Sequence, residues 1–157
     1  MKDKIQNLKI EKGEKNESKK INIPVCCDEG YGLDFDRLSS KLKLTRDEII
    51  KVYFKREYFC YMSGFIAGMP FLGDLDSVIR CDRLETPRIK VPEGSIGITE
   101  QFANIYTLES PGGWNIIGNT PKKVFDASNR KNPALINPGD EIKFYQISQK
   151  EYLNWNG

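Results

Sequence analysis

The chain has 157 residues, 39% hydrophobic and 11% aromatic, which is enough apolar side chain for one packed domain and too much for a disordered chain. Its net charge is only +2 and it contains no histidine, so histidine-based triads, general bases and metal ligands are excluded. No apolar run approaches the roughly 18 residues of a membrane span, and the charged start Met1-Lys2-Asp3-Lys4-Ile5 lacks the apolar core of a secretory signal, so a cytoplasmic address away from any membrane is expected.

Residues 1–20 hold seven lysines against four acids, with only Ile5, Leu8 and Ile10 as large apolar residues. They read as a flexible arm ahead of a folded domain over 21–157. The basic character stops there, so nucleic acid is not an expected partner. Order begins at 21–25, where Pro24 suggests a sheet edge. Asp34 is placed to cap a short helix with Phe35, Leu38 and Leu42 on one face. Thr45-Arg46-Asp47-Glu48 is a capping box for a second helix buried through Ile49, Ile50, Tyr53 and Phe54.

From Tyr58 the texture is β. Tyr58-Phe59-Cys60-Tyr61-Met62 reads as a buried strand, and further strands are predicted at 88–91, 95–99, 103–108, 114–117 and 141–147. Asn137-Pro138-Gly139-Asp140 marks a turn. Many short strands and few helices favour a sandwich or a closed barrel. Cys26, Cys27, Cys60 and Cys81 form no Cys-x-x-Cys pair, so reduced thiols are expected rather than a metal site.

Three Gly/Pro-rich segments hold the candidate chemistry. No Gly-Lys-Ser/Thr closes the run 64–74, so it is not a phosphate loop. Its glycines let backbone pass close to a ligand with Phe65 and Phe71 as walls, or else the run is a wide packed loop. In Ser110-Pro111-Gly112-Gly113-Trp114, successive glycines can form a nest of backbone N–H groups with Trp114 stacking on a ligand, or a tight hairpin followed by a core tryptophan. In Thr86-Pro87-Arg88, Arg88 is a candidate carboxylate clamp, against the alternative of an ordinary solvated or ion-paired arginine. No complete catalytic set is visible.

Taken in order, these segments resemble the family of KipI and the B-type 5-oxoprolinase subunits, also called allophanate hydrolase subunit one. The landmarks are Ile23-Pro24-Val25-Cys26, Gly64-Phe65 with Pro70-Phe71-Leu72-Gly73, Thr86-Pro87-Arg88, Val91-Pro92-Glu93-Gly94-Ser95-Ile96-Gly97-Ile98, Ile105-Tyr106, Glu109-Ser110-Pro111-Gly112-Gly113-Trp114, Ile117-Gly118 with Thr120-Pro121, Phe125-Asp126 and Pro138-Gly139-Asp140. The resemblance covers 21–147 and implies a mainly β carboxyltransferase-type domain, folded as a cyclophilin-like closed β-barrel with two short helices. It also implies a further N-terminal domain in typical members, which the lysine-rich arm does not supply.

For function, the resemblance implies one subunit of an ATP-dependent complex that opens 5-oxoproline to glutamate with a homologous second subunit. ATP would be used by the complex, with no cofactor assigned to this chain. Arg88, Ser110, Gly112, Gly113 and Trp114 would then hold carboxylate or carbonyl oxygens, and Phe65, Gly68, Pro70, Phe71 and Tyr106 would shape the pocket. The alternative within the family is a KipI-like module that inhibits a histidine kinase by direct contact; prolyl isomerase activity rests on fold analogy alone. The chain departs from the family pattern where Phe102-Ala103 replaces a Gln-Thr pair and Asn119 replaces an arginine. Each lost hydrogen-bonding partner is expected to weaken polar-substrate binding by about 1–3 kcal/mol.

Overall fold

The computed structural model describes residues 17–157. Most of the predicted arm thus lies outside the described residues, and Lys20 already opens the first strand. Seven strands close into a barrel in the order β1 (Lys20–Cys26), β8 (Asn115–Asn119), β5 (Ser95–Thr99), β6 (Phe102–Ile105), β3 (Pro70–Gly73), β2 (Glu57–Ser63) and β9 (Glu141–Ile147). The closing pair, β1 with β9, is parallel and runs from Lys20 opposite Glu141 to Cys26 opposite Ile147. The other barrel pairings are antiparallel. Strand β1 meets β8 only at Cys26 opposite Asn119, so Pro24, which has no N–H to give, lies where β1 is paired on one side alone.

The barrel is filled by side chains. Ile23, Val25, Tyr58, Cys60, Leu72, Ile96, Ile98, Ala103, Ile105, Ile142 and Phe144 belong to one buried cluster. Helices α1 (Phe35–Leu42) and α2 (Arg46–Lys55) add Phe35, Leu38, Ile49 and Tyr53 to it. The rings of Tyr53, Tyr58 and Phe144 lie 5.1 to 5.6 Å apart, centroid to centroid, a spacing at which aromatic pairs add about 0.5–1.5 kcal/mol beyond area burial. Helix α2 starts on the predicted capping box: the Thr45 hydroxyl accepts the Glu48 N–H at 3.2 Å, and Glu48 accepts the Thr45 N–H at 2.7 Å. A second capping box, Ser148 with Glu151, starts a third short helix, α3 (Gln149–Leu153), which has no counterpart among the predicted elements.

Three local expectations change. Strand β2 is not buried throughout: Tyr58 and Cys60 point inward while Phe59, Tyr61 and Met62 are exposed, as pleating requires of a barrel wall. On that outer face the Tyr61 ring stands 5.0 Å from Phe59 and 6.4 Å from Phe102. Pro70–Gly73 and Ser110–Gly112, read as loop and turn, are strands β3 and β7. Asp34 occupies the N-cap position of α1 but its side chain makes no capping bond.

That carboxylate has a different task. Strand β7 pairs with β4 (Arg88–Val91) in a separate two-stranded flap, with Arg88 opposite Gly112 and Val91 opposite Ser110. Buried Asp34 accepts both terminal nitrogens of Arg88, at 2.6 and 3.0 Å, and the Ile116 backbone N–H of β8 at 2.6 Å. Fork geometry and charge make such bonds about twice as strong as neutral ones. The flap is thereby tied to the barrel wall and to the start of α1. Beneath it a second, smaller cluster of Met69, Val91, Tyr106 and Ile116 packs outside the barrel, with Ile66 and Phe71 against it. Strands β5 and β8 are buried on nearly every residue because one face fills the barrel and the other lies under this layer.

Two expected outcomes follow from the core. The Tyr53 hydroxyl is buried with no hydrogen-bond partner among the described residues, so Tyr53→Phe removes a desolvated polar atom and should leave stability unchanged or raise it by up to about 1 kcal/mol in urea unfolding; a loss larger than that would show the hydroxyl to be engaged. All four cysteines are buried and free, and burial pushes the Cys27 thiol up to about 12 and the Cys60 thiol up to about 11. Raised values keep the thiols protonated at pH 8, so iodoacetamide should label the native protein on the order of 100-fold more slowly than the urea-unfolded chain; one fast native thiol would contradict this.

Candidate functional site

Between the flap and the outer wall of the barrel lies a cavity of about 430 Å³, within the usual range for small-ligand sites. Its floor is the barrel surface at Asn104 and Tyr106, and its walls come from three directions. Phe65 and Met69 enter from the loop before β3 and Phe71 from β3 itself; Arg83 and Pro87 enter from the segment before β4; Pro111, Gly112, Gly113 and Trp114 enter from β7 and the residues after it. The three Gly/Pro segments that stand out in the sequence thus meet on one concave face.

Local hydrogen bonds explain the convergence. The Leu84 N–H donates to the Gly113 carbonyl at 2.7 Å, joining the second segment to the third. The Thr107 hydroxyl donates to the Ala67 carbonyl at 2.6 Å, tying the first loop to the end of β6. From α1, Arg37 donates to the carbonyls of Asp82 and Arg83, each at 3.2 Å, and fixes the backbone that carries the Arg83 side chain. Trp114 stands edge-on to Phe71 at 5.6 Å between ring centroids. Phe65 adopts a left-handed backbone, φ 70°, and is 75% exposed at the mouth; a large aromatic in that region is a strained placement of the kind that collects at binding sites.

The glycines serve steric roles. An added Cβ on Gly112 would lie 2.2 Å from the Tyr106 hydroxyl, and one on Gly97 would lie 2.5 Å from Asn104 Oδ1 and 3.1 Å from the Trp114 side chain. Gly112 and Gly113 are not in the left-handed region, and Gly112 sits in an extended strand. The expected nest of backbone N–H groups at 110–114 is therefore not the arrangement found; the glycines let the flap lie flat on Tyr106.

Six of the ten expected site residues line the cavity: Phe65, Phe71, Tyr106, Gly112, Gly113 and Trp114. Four lie outside its lining. Gly68 turns at φ +69° against the Phe125 ring, which a Cβ would approach to 2.4 Å. Pro70 opens β3 opposite Ser63. Ser110 lies in β7 opposite Val91, its hydroxyl buried and unpartnered among the described residues. Arg88 is the substantive correction. Its guanidinium is taken by Asp34, so it holds the flap and is not a free carboxylate clamp.

Sequence reasoning missed Arg83 and Asn104, and it reached Met69, Pro87 and Pro111 only as members of their segments, not as site residues. Asn104 carried a signal, being the one amide in the apolar strand Phe102-Ala103-Asn104-Ile105; buried, it accepts the Gly97 N–H at 3.1 Å. Arg83 carried none. The departures from the family pattern also fall elsewhere. Ala103 points into the barrel core, Phe102 packs on Tyr61, and Asn119 bonds the Glu93 carbonyl at 2.9 Å and the Tyr152 hydroxyl at 2.8 Å. The expectation that they strip donors from the pocket is not met.

Chemically, the lining offers one cation, one buried amide and one phenol in an otherwise apolar box, with no carboxylate and no thiol. Burial raises the Tyr106 pKa, against the opposing pull of hydrogen bonds from Asn104 and the Trp114 backbone, so the phenol is neutral near pH 7 and suited to hydrogen bonding rather than to base catalysis. The arrangement can bind and orient a small, partly polar ligand.

Comparison with known proteins agrees with this architecture. The family model "Carboxyltransferase domain, subdomain C and D" matches residues 1–136. The chain is 37% identical over 132 residues to the B-type 5-oxoprolinase subunit of Bacillus subtilis, covering 84% of this chain and 55% of that protein. It is 40% identical over 124 residues to the corresponding 5-oxoprolinase subunit of Haemophilus influenzae, covering 79% of this chain and 58% of that one. This chain thus spans little more than half the length of these relatives. Among solved structures, a conserved uncharacterized protein from Pyrococcus horikoshii superposes with a TM-score of 0.81 at 40% identity, over 85% of this chain and 62% of that one. With a match over most of its length and the barrel to accompany it, the chain belongs to the carboxyltransferase domain family, subdomains C and D.

Proposed function

We propose that this chain acts as the B-type subunit of a 5-oxoprolinase-like assembly, in which a homologous partner subunit completes the site and ATP drives opening of the lactam to glutamate. The observation that carries the reading is the convergence of the three glycine- and proline-rich segments on the cavity beneath Trp114. Its chemistry suits a small cyclic amide. Asn104 and Tyr106 supply polar partners for a lactam, and Phe71, Met69 and Trp114 supply apolar walls for ring methylenes. The lining contains no carboxylate or thiol, and its one phenol is kept neutral by burial, which fits a surface that binds and orients while catalytic groups and the nucleotide site come from partner subunits.

The relatives named for 5-oxoprolinase favour this reading over the kinase-regulator alternative. Among the described residues no helix is long and apolar enough to cross a membrane, and four buried free thiols suit the reducing cytoplasm in which we place the assembly.

The test is reconstitution. Purified with its partner subunits, the chain should support glutamate release that requires both ATP and 5-oxoproline. Gly112→Ala, which forces a Cβ to within 2.2 Å of the Tyr106 hydroxyl, should lower that rate by at least about tenfold, because displacing a positioning wall by about an ångström costs on that scale or more. Thr45→Ala, at the distant start of α2, should change it by less than about twofold while costing roughly 1 kcal/mol of stability. Glutamate release that ignores Gly112→Ala would remove the cavity from the reaction.

A further inference from the structure

The cavity carries one positive charge that no acid among the described residues neutralises. Arg83 contributes to the lining, and its side chain makes no ion pair or hydrogen bond among the described residues. The neighbouring acid is already occupied: Asp82 accepts Lys41 at 2.8 and 2.9 Å and Arg37 at 3.5 Å, and the Lys41 hydrogen bond foremost holds its carboxyl down at about 2. The other conspicuous arginine, Arg88, is occupied by Asp34. An arginine fixed at its backbone by Arg37, without a counter-charge and beside an apolar box, is placed for an anion that the protein does not itself provide.

We infer that Arg83, rather than Arg88, is the specificity-determining residue of the site, and that the cavity takes a small organic monocarboxylate whose carboxylate pairs with the Arg83 guanidinium while its apolar ring lies against Trp114 and Phe71. Guanidinium matches carboxylate in a planar, two-pronged way, and Arg83, exposed where it borders the cavity, is open to an incoming ligand. Arg88 is a positioning residue, acting through the flap. The inference deepens the reading above and rests on this cavity being the substrate site, yet the two separate by experiment.

Three probes are titrated by two-dimensional NMR, following the Arg83 Nε–Hε and Trp114 indole signals: 5-oxoproline, its neutral analogue 5-oxoprolinamide, and cyclopentanecarboxylate, which keeps the acid and lacks the lactam. Both carboxylates should shift both signals. Arg83→Gln should weaken them by about 10- to 100-fold, the scale of one charge-assisted hydrogen-bonded pair, and Arg83→Lys should recover part of the loss. The affinity for 5-oxoprolinamide should change by less than about threefold, a readout that a merely structural role for Arg83 would not give. If cyclopentanecarboxylate binds through Arg83 and 5-oxoproline does not, the anion site stands and the lactam-opening reading falls. If 5-oxoproline binds the wild type and Arg83→Gln equally well, or if no carboxylate shifts the Arg83 signal, the inference is overturned.

Discussion

One buried carboxylate joins three parts of the chain that are far apart in sequence. Asp34, at the start of α1, accepts a backbone N–H from β8 and both terminal nitrogens of Arg88 from β4. A carboxylate held away from water costs several kcal/mol unless its oxygens are paired and hydrogen-bonded. Here they are, and the requirement runs both ways: the acid needs Arg88, and the flap needs the acid. A two-stranded ribbon has little stability by itself, so the β4–β7 flap keeps its place through this ion pair and through the small apolar cluster of Val91 with Met69, Tyr106 and Ile116.

The site follows from that arrangement. The barrel interior is packed with aliphatic and aromatic side chains, and a filled barrel offers no internal room for a ligand. Concavity arises outside, where a second layer is laid over the wall and does not cover it completely. Gly112 and Gly97 allow the close approach of the two layers, since a methyl group on Gly112 would collide with Tyr106 and one on Gly97 would press on the Trp114 side chain. The positions that shape the cavity are thus of two kinds: side chains that line the gap, and a staple beneath the surface that holds the flap over it.

Much of the fold was legible because it depends on local chemistry. Thr45 and Glu48 specify a helix start whatever surrounds them, and the 88–91, 95–99 and 141–147 runs have the β-branched and aromatic texture of strands. Other features depended on distant partners. The five apolar residues from Tyr58 to Met62 give no alternation from which to tell the inward from the outward face, and the barrel wall imposes one. Pro70–Gly73 and Ser110–Gly112 carry turn residues yet become strands because β6 and β4 offer them ladder partners. In the site, the converging segments could be found from composition, but the engagement of Arg88 by Asp34 could not, because that contact spans 54 residues of sequence.

The central claim is that the Asp34 carboxylate holds the flap on the barrel, and amide hydrogen exchange in an Asp34→Asn variant tests it most directly. Asparagine keeps an oxygen for the Ile116 N–H and removes the charge that binds Arg88. The account predicts that amides of Arg88–Val91, Ser110 and Gly112 lose protection while those of Ser95–Thr99 and Glu141–Ile147 keep theirs, a local opening rather than a global one. Unchanged protection in the flap, or equal loss in flap and barrel together, would contradict it.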